Sequence, residues 1–531
     1  MKSVVRKVVS VVSATGNPIM ARKWGFLVLG LVTLFVFRVI YSVPIEFNGE
    51  SIRKWEVARQ LATIGNWEVL LSDHHQLRWG VVLPQVFFSW LVPNHWFGYY
   101  LTPMLFWTLL VIGCVRLFEE NSVLAPLGLA YLVAVASEPL GHAMGSQFNS
   151  GAFGLLYVLG GIYALMAYCR TGNAIYLVIS AFGFFCAYGA HLTFFVFVGA
   201  PLFFLVITQR DFRGTVVFCI AFAVLLGLEA LMLDLLSDGG IQGGRIAEVA
   251  RMKTWGDSMM GATRFRGQEP FELHHFFDRW RMLPKYSLAM GILFVVCSLS
   301  LLSTKTRSNI PDGVLLSFLV AGIYGVAVSF PIIGLNPLRL VLDLHSRYLT
   351  PFFPFAIVFI AWISVFFLKS RMRSDAHLKG ALYGLALIGF SVFAWGSVSY
   401  RCTDEILESN ESNHSVASNT YCRFFRYSQE QNIYPSPDLF ALNADSYYRQ
   451  FGRDYVTGGV ALYGYTRIGA FVWFISAIHP DAKFIETRNG WFTVDGKEKP
   501  LCVKELGTFT APNENYVDCI GLTMEPGAIQ D

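Results

Sequence analysis

The sequence has 531 residues, of which 54% are hydrophobic and only 15% charged, with 46 Phe, 23 Tyr, 13 Trp and a mean hydropathy of +0.47. Soluble proteins carry roughly a quarter charged residues, so this composition excludes a soluble enzyme, and a chain so apolar cannot remain disordered. The net charge of +4 gives no sign of a nucleic-acid partner. Long apolar runs such as 350–368 exclude a barrel of short alternating strands, which leaves a polytopic α-helical membrane protein.

Hydropathy predicts about eleven transmembrane helices, each close to the length that crosses a hydrocarbon core of about 30 Å. The predicted spans are 24–43, 95–117, 123–140, 150–168, 174–188, 191–208, 214–235, 286–303, 313–333, 349–368 and 380–399. A shorter apolar stretch, 81–92, is bounded by Pro93 and is predicted to enter the membrane interface as a half-helix.

Lysine and arginine are concentrated in alternate short loops, which predicts a cytoplasmic N-terminus. An odd number of spans then places the C-terminus outside. Three long segments follow on the outer side, namely 44–80, 237–285 and the region after residue 400. We therefore predict a transmembrane domain over 1–400, with outer loops 44–80 and 237–285, and an extracytoplasmic domain over 401–531.

The tail is predicted to be a mixed α/β domain. Asn489-Gly490 and Asp495-Gly496 are turn signals that favour a hairpin, and the apolar stretch 468–478 is too short to span and suits a core helix. The tail also holds four of the nine cysteines, which suit two disulfides in an oxidising compartment. Three pairings are possible, and proximity favours Cys402 with Cys422 and Cys502 with Cys519.

The first outer loop carries the sharpest local pattern. Its spacing predicts an amphipathic helix on the membrane surface, with Glu50 in the first turn and Arg53 and Lys54 one turn later. A carboxylate beside cations can activate a hydroxyl while the cations hold a phosphate. Spacing alone favours the simpler alternative, a helix-start acid with an ordinary ion pair.

This loop resembles the first periplasmic loop of GT-C glycosyltransferases. The resemblance runs from Glu50 through Glu56-Val57-Ala58-Arg59 to Gly65-Asn66-Trp67, and then to Asp73-His74-His75-Gln76-Leu77 before a short apolar helix. It is closest to the lipid A aminoarabinose transferases and the protein O-mannosyltransferases. Arg347-Tyr348-Leu349-Thr350-Pro351 is similar to a segment that opens a late span in many of these enzymes.

Three positions depart from the family pattern. Ser51 stands where a second acid is usual, Glu50 stands where aspartate is usual, and His75-Gln76 replaces a pair of prolines. The resemblance covers the organisation of roughly 400 residues, and its motifs are short.

The resemblance implies a bacterial inner-membrane enzyme that moves a sugar from a polyprenyl-phosphate donor to a hydroxyl of a glycan, lipid or protein, with inversion. Glu50 falls on the catalytic position. No cofactor is implied, and a metal is not required, although some members of the family use a divalent ion. The residues expected at the donor phosphate or sugar are Arg53, Lys54, His74, His75, Arg264, Arg266, Arg347 and Tyr348.

The second outer loop is rich in basic residues, which the charge rule disfavours outside the membrane. An anionic ligand such as a phosphate is one explanation, since arginine binds it through a planar fork of donors. Pairing with nearby acids or with lipid headgroups is equally favoured. The paired histidines His74-His75 and His274-His275 show no known metal-ligand spacing, so a metal site is the minority interpretation.

Several polar residues lie in or near the predicted spans. Two interpretations are equally favoured: these residues line an outward-facing cavity, or they form hydrogen bonds between helices. They include Glu138, His142, Gln147, His191, Glu229 and Asp234. Two other functions remain open. A transporter or flippase of lipid-linked glycans usually shows repeated halves and broken helices, which the sequence does not, whereas a glycan polymerase or ligase shares the same partners.

Overall fold

The computed structural model describes the following parts of the chain: 77–91, 96–117, 150–236, 285–329, 332–335, 338–340, 351–371, 484–487, 491–494 and 497–502, with isolated positions between 54 and 70 and at 384. The chain divides into two compact units. One comprises 1–41, 104–145 and 150–397, and the other comprises 42–103, 146–149 and 398–531.

Apolar helices dominate the described residues. Helix α1 is Trp79–Leu91, α2 is Trp96–Arg116, α3 is Ser150–Thr171 and α4 is Ile175–Ala190, and they are followed by a composite span, α5, Leu192–Gln209. Helix α6 is Phe212–Leu236, α7 is Lys285–Leu299, α8 is the short Thr304–Asn309, α9 is Asp312–Ser329 and α10 is Phe353–Arg371. Eight predicted spans correspond to α2 through α7, α9 and α10, and the half-helix prediction corresponds to α1. The predicted spans 24–43 and 123–140, and 380–399 apart from Gly384, lie outside the described residues.

Four of these helices are long and apolar enough to cross a membrane, namely α3, α5, α6 and α9. The chain is therefore an integral membrane protein.

Close backbone packing joins α3 to α4. The hydroxyl of Ser180 donates to the carbonyl oxygen of Gly161 at 2.9 Å. A Cβ placed on Gly183 would lie 2.8 Å from the backbone nitrogen of Gly161 and 2.9 Å from the carbonyl oxygen of Tyr157. Such approaches are possible only between small residues, which membrane helices use in place of a hydrophobic driving force. At the turn between the helices, Gly172 adopts φ +67°, and its N–H donates to the carbonyl of Tyr168 at 2.7 Å, as in a left-handed helix cap.

The α5 span changes its winding along its length. It begins as a 3-10 helix over Leu192–Val198, continues as an α-helix over Gly199–Phe203 and ends as a π-helix over Phe204–Gln209. Residues three apart eclipse each other in a 3-10 helix, which aligns the rings of Phe194 and Phe197. Both rings pack on Tyr324 of α9, with the Phe197 ring stacked at a centroid distance of 4.9 Å.

Aromatic side chains also join α7, α9 and α10. The ring of Phe294 lies 5.6 Å from that of Phe318 and 5.5 Å from that of Phe359, while Phe318 and Phe359 are 4.8 Å apart. Such ring pairs add about 0.5–1.5 kcal/mol each beyond area burial. This triad fixes α7, α9 and α10 against one another.

Five strands occur among the described residues. Strand β1, Ile332–Leu335, pairs antiparallel with β2, Leu338–Leu340, directly after α9. In the tail, β3 (Phe484–Thr487), β4 (Trp491–Val494) and β5 (Lys497–Cys502) form an antiparallel meander. In sequence, Asn489-Gly490 stands between β3 and β4 and Asp495-Gly496 stands between β4 and β5, and the antiparallel pairing of these strands confirms the predicted hairpin. The predicted helix at 468–478 lies outside the described residues.

Candidate functional site

The first outer loop contains a helical segment that packs into a small core. Lys54, Trp55, Val57, Ala58, Leu61 and Ala62 are helical, and we call this segment the loop helix. Val57, Ala58 and Leu61 lie on one face, because they are spaced by one, three and four residues. They form a core with Leu70 and with Val82 of α1. The apolar face of the loop helix is thus covered by protein, and the position of this helix at the membrane surface stays a prediction.

Lys54 is part of this buried face. Only 2% of its surface is exposed, and its neighbour Trp55 is 1% exposed. A buried ammonium group is costly unless other groups in the protein compensate its charge. Lys54 is therefore a cation held in the protein interior, one helical turn before Ala58, and it is not a mobile surface lysine.

Arg78 is a second buried cation in the same unit. It is 7% exposed and immediately precedes α1, where its carbonyl oxygen accepts the N–H groups of Val81 at 2.8 Å and Val82 at 3.1 Å. The positive end of a helix dipole disfavours a cation at this position. Arg78 is not among the predicted site residues, although it directly follows the His74-His75-Gln76-Leu77 motif in the sequence.

A buried polar group of three residues connects α1 to α2. The amide of Gln85 donates to the hydroxyl of Ser89 at 3.2 Å, and the hydroxyl of Thr102 donates to the amide oxygen of Gln85. All three side chains are buried, and buried polar groups with satisfied partners fix one packing arrangement. These bonds hold α2 against α1, whose start carries Arg78.

Most predicted site residues lie outside the described part of the chain. They are Glu50, Arg53, His74, His75, Arg264, Arg266, Arg347, Tyr348, Cys402, Cys422 and Cys519. Lys54 is described with its side chain, and Cys502 is described only as the last residue of β5. The roles of these residues and the two disulfides stay predictions.

Three of the polar residues predicted near the spans are described, namely His191, Glu229 and Asp234, the last of which is half-buried on α6. His191 begins α5, where its Nδ1 accepts the N–H of Thr193 at 3.3 Å and lies 2.7 Å from the Thr193 hydroxyl. Glu229 is buried on α6, on the same face as Phe218 and Phe222. The side chain of His191 thus caps the start of α5, whereas Glu229 is a buried acid on the membrane helix α6.

The described residues give no set of three His, Cys, Asp or Glu side chains that could hold a metal ion. The histidine pairs on which a metal site was considered lie outside the described ranges. In the described part of the first outer loop, the buried side chains of Lys54 and Arg78 provide the basic groups. Basic groups in such a position suit an anionic ligand.

No protein-family model matches the sequence, and no curated protein matches it. Two solved structures resemble the fold. The crystal structure of ArnT from Cupriavidus metallidurans in the apo state matches 86% of this chain and 76% of its own, at 12% identity and a TM-score of 0.46. The structure of ArnT from the same organism bound to undecaprenyl phosphate covers the same shares, at 14% identity and a TM-score of 0.42. At these identities the likeness concerns the fold alone.

Proposed function

We propose that this protein is a membrane glycosyltransferase that transfers a sugar from a polyprenyl-phosphate donor to a hydroxyl acceptor on the outer face of the membrane. The observation that carries the proposal is the loop helix. It combines the family-like motif beginning at Glu50 with a buried cation, Lys54, and it packs firmly on α1. A catalytic carboxylate needs such a rigid support, because small displacements of a reacting group cost large factors in rate.

The donor phosphate is the proposed ligand of the basic residues. Lys54 and Arg78 supply enclosed positive charge, and the motif residues Arg53, His74, His75, Arg264, Arg266, Arg347 and Tyr348 are proposed to contact the phosphate or the sugar. Charge-assisted hydrogen bonds to an ionised phosphate are roughly twice as strong as neutral ones. The same cations stabilise the charge that develops on the leaving phosphate, so the proposed chemistry needs no metal ion.

Glu50 is the proposed general base. Its carboxylate takes the proton of the acceptor hydroxyl while that oxygen attacks the anomeric carbon. The bond between the anomeric carbon and the phosphate oxygen breaks, and polyprenyl phosphate leaves from the opposite face. This single displacement inverts the anomeric configuration. The acceptor is a glycan, a lipid or a protein.

The test is Glu50→Gln, which keeps the side-chain size and removes the proton acceptor. Sugar transfer by membranes that carry the variant should fall by ~10²–10⁴, the usual contribution of a general base, while donor binding is retained. Glu46→Gln and Glu56→Gln, at equal expression, are the matched controls, since they lie in the same loop outside the motif position. Normal transfer with Glu50→Gln and loss with either control would assign the base to another residue. Donor translocation across the membrane without transfer would favour a flippase.

A further inference from the structure

Hydrogen bonds link two connections of the first unit, the turn from α3 to α4 and the turn from α5 to α6. We call this group of bonds, centred on Tyr168 and Asp211, the joint. The hydroxyl of Tyr168 donates to one carboxylate oxygen of Asp211, and the N–H of Gly214 donates to the other at 2.9 Å. The Asp211 N–H in turn donates to the carbonyl of Leu205 at 2.9 Å. These bonds bring residues around 170 and residues around 211 to the same end of the helices.

Three arginines surround this joint. Arg170 follows Tyr168 by two residues, and Arg210 and Arg213 flank Asp211, so the Tyr168–Asp211 bond places all three at one edge. All three are exposed. The carboxylate of Asp211 is already engaged by Tyr168 and Gly214, and no other described residue forms an ion pair with Arg170 or Arg210. Among the described residues this edge holds three arginines and two acids, Asp211 and Asp312, and so keeps a net positive charge.

Arg210 adopts a left-handed backbone conformation, with φ 52° and ψ 34°. This conformation costs a residue other than glycine roughly 1–2 kcal/mol. The turn itself would form more easily with glycine or asparagine, so backbone geometry alone does not favour an arginine at this position.

Exposed apolar side chains lie directly beside these arginines. Phe212 is 68% exposed between Arg210 and Arg213, and Ile175, Ile207 and Val216 are also exposed on the adjoining helices. These helices are apolar enough to cross a membrane or are joined to ones that are. The edge thus presents cations next to a lipid-facing apolar surface, which matches the headgroup and acyl chains of a phospholipid.

We propose that Arg170, Arg210 and Arg213 form a binding site for the phosphate of an anionic phospholipid. The site is separate from the proposed donor site, because the two share no residue. Arginine binds phosphate oxygens through a planar fork of donors. A zwitterionic lipid carries a compensating cation in its headgroup, and free phosphate lacks the acyl chains that Phe212 and Ile207 would contact, so the site should select an anionic lipid over both.

The test compares two double variants of the full-length protein that each remove two positive charges. Arg170→Gln/Arg213→Gln alters the site, whereas Lys305→Gln/Arg307→Gln removes exposed charge from α8. The purified proteins are offered phosphatidylglycerol and phosphatidylcholine in equal amounts, and the retained lipids are identified by native mass spectrometry. Each basic residue near an anionic lipid changes affinity by about fivefold, so we expect phosphatidylglycerol retention to fall by roughly 30-fold in the first variant and to persist in the second.

Equal retention by Arg170→Gln/Arg213→Gln and the wild type would overturn the proposal, and so would an equal loss in both double variants. Displacement of phosphatidylglycerol by the same concentration of inorganic phosphate would show a simple anion site and overturn the assignment to a lipid. The variant Arg170→Lys/Arg213→Lys is the control for misfolding, because it keeps both positive charges. Retention weaker than in the wild type but stronger than in the glutamine variant is expected for that protein, and full retention would contradict the role of the guanidinium fork.

Discussion

Lys54 combines a charged group with a fully enclosed position. Replacing both members of a buried charged pair by apolar residues is often neutral or stabilising, whereas removing one member alone costs the fold about 3–5 kcal/mol. If the ammonium binds the donor phosphate, Lys54→Met should weaken binding of a polyprenyl phosphate by about 10–100-fold, the range of one charge-assisted hydrogen bond. A binding isotherm on the purified protein measures this, with the exposed Lys305→Met as control. Unchanged donor affinity together with a large loss of thermal stability would assign Lys54 a structural role.

Asp211 is the charged residue whose contacts are most completely described. The hydrogen bond from Tyr168, and then the backbone N–H of Gly214, lower the pKa of its carboxyl group below the usual value. A lowered folded-state pKa means that the stabilisation is complete above the unfolded-state pKa of about 3.9 and is lost as the pH falls through the folded-state pKa. Because Asp211 accepts the N–H of Gly214 in the first turn of α6, it caps that helix. Loss of a helix-capping side chain lowers the free energy of unfolding by about 0.5–2 kcal/mol.

We therefore expect Asp211→Asn to unfold at a lower temperature than the wild type in detergent at neutral pH. The difference should shrink once the pH falls below about 4. Tyr168→Phe tests the same contact from the other side, and the double variant should lose less than the sum of the two single variants, because they share one interaction. A difference that is independent of pH would show that the carboxylate charge is not what stabilises the joint.

The sequence predicted the loop helix from the helical spacing of Ile52, Trp55, Ala58, Gln60 and Leu61, and the structure buries the three described members, Trp55, Ala58 and Leu61. It did not predict that Lys54 would be buried on that face. Burial depends on which element covers the helix, here α1 through Val82, and hydropathy gives no information on such tertiary partners. Arg78 was missed for a related reason, since a single arginine before a short apolar helix resembles any loop cation until its exposure is known.

At the level of elements, the crossing of α3 and α4 depends on glycine. A Cβ on Gly183 would lie 2.8 Å and 3.0 Å from the backbone nitrogen and Cα of Gly161, and backbone cannot move aside as a side-chain tip can. We expect Gly183→Ala to destabilise the protein by about 1–3 kcal/mol, measured as a lower unfolding temperature in detergent. Gly160→Ala is the matched control on the same helix pair, because nothing lies within 4 Å of a Cβ there. Equal unfolding temperatures for the two variants would contradict the close crossing.

The positions of the helices were largely predictable, and their winding was not. Hydropathy located the span beginning near residue 191, yet only the structure shows its passage from a 3-10 helix through an α-helix to a π-helix. An apolar run looks the same in all three windings. The β1–β2 hairpin was also missed, because the predicted span 313–333 extended over Ile332, whereas α9 ends at Ser329. The tail hairpin was predicted correctly because Asn-Gly and Asp-Gly pairs favour tight turns through backbone geometry alone.

For the whole molecule, the charge asymmetry of the short loops predicts that the C-terminus lies outside the cytoplasm. A reporter fused after Asp531 should be active if it requires an oxidising, extracytoplasmic compartment, and inactive if it requires the cytoplasm. The same compartment would oxidise the tail cysteines. Mass spectrometry of the unreduced protein should show Cys402, Cys422, Cys502 and Cys519 in two disulfides, whereas the described Cys114, Cys169, Cys186, Cys219 and Cys297 are free thiols. A cytoplasmically active reporter would reverse the topology, whereas four free thiols in the tail would contradict the two disulfides.

The shortness of α4 has a consequence for the surrounding bilayer. Its 16 residues rise about 1.5 Å each and reach about 24 Å, less than the ~30 Å of a typical hydrocarbon core. Asn173 and His191 bound this helix, so its apolar length cannot increase without burying polar side chains. Lipids beside it must shorten or tilt their chains, at a cost of fractions of a kcal/mol per Å of mismatch. The stability of the reconstituted protein should therefore depend on acyl-chain length, with an optimum in bilayers thinner than average.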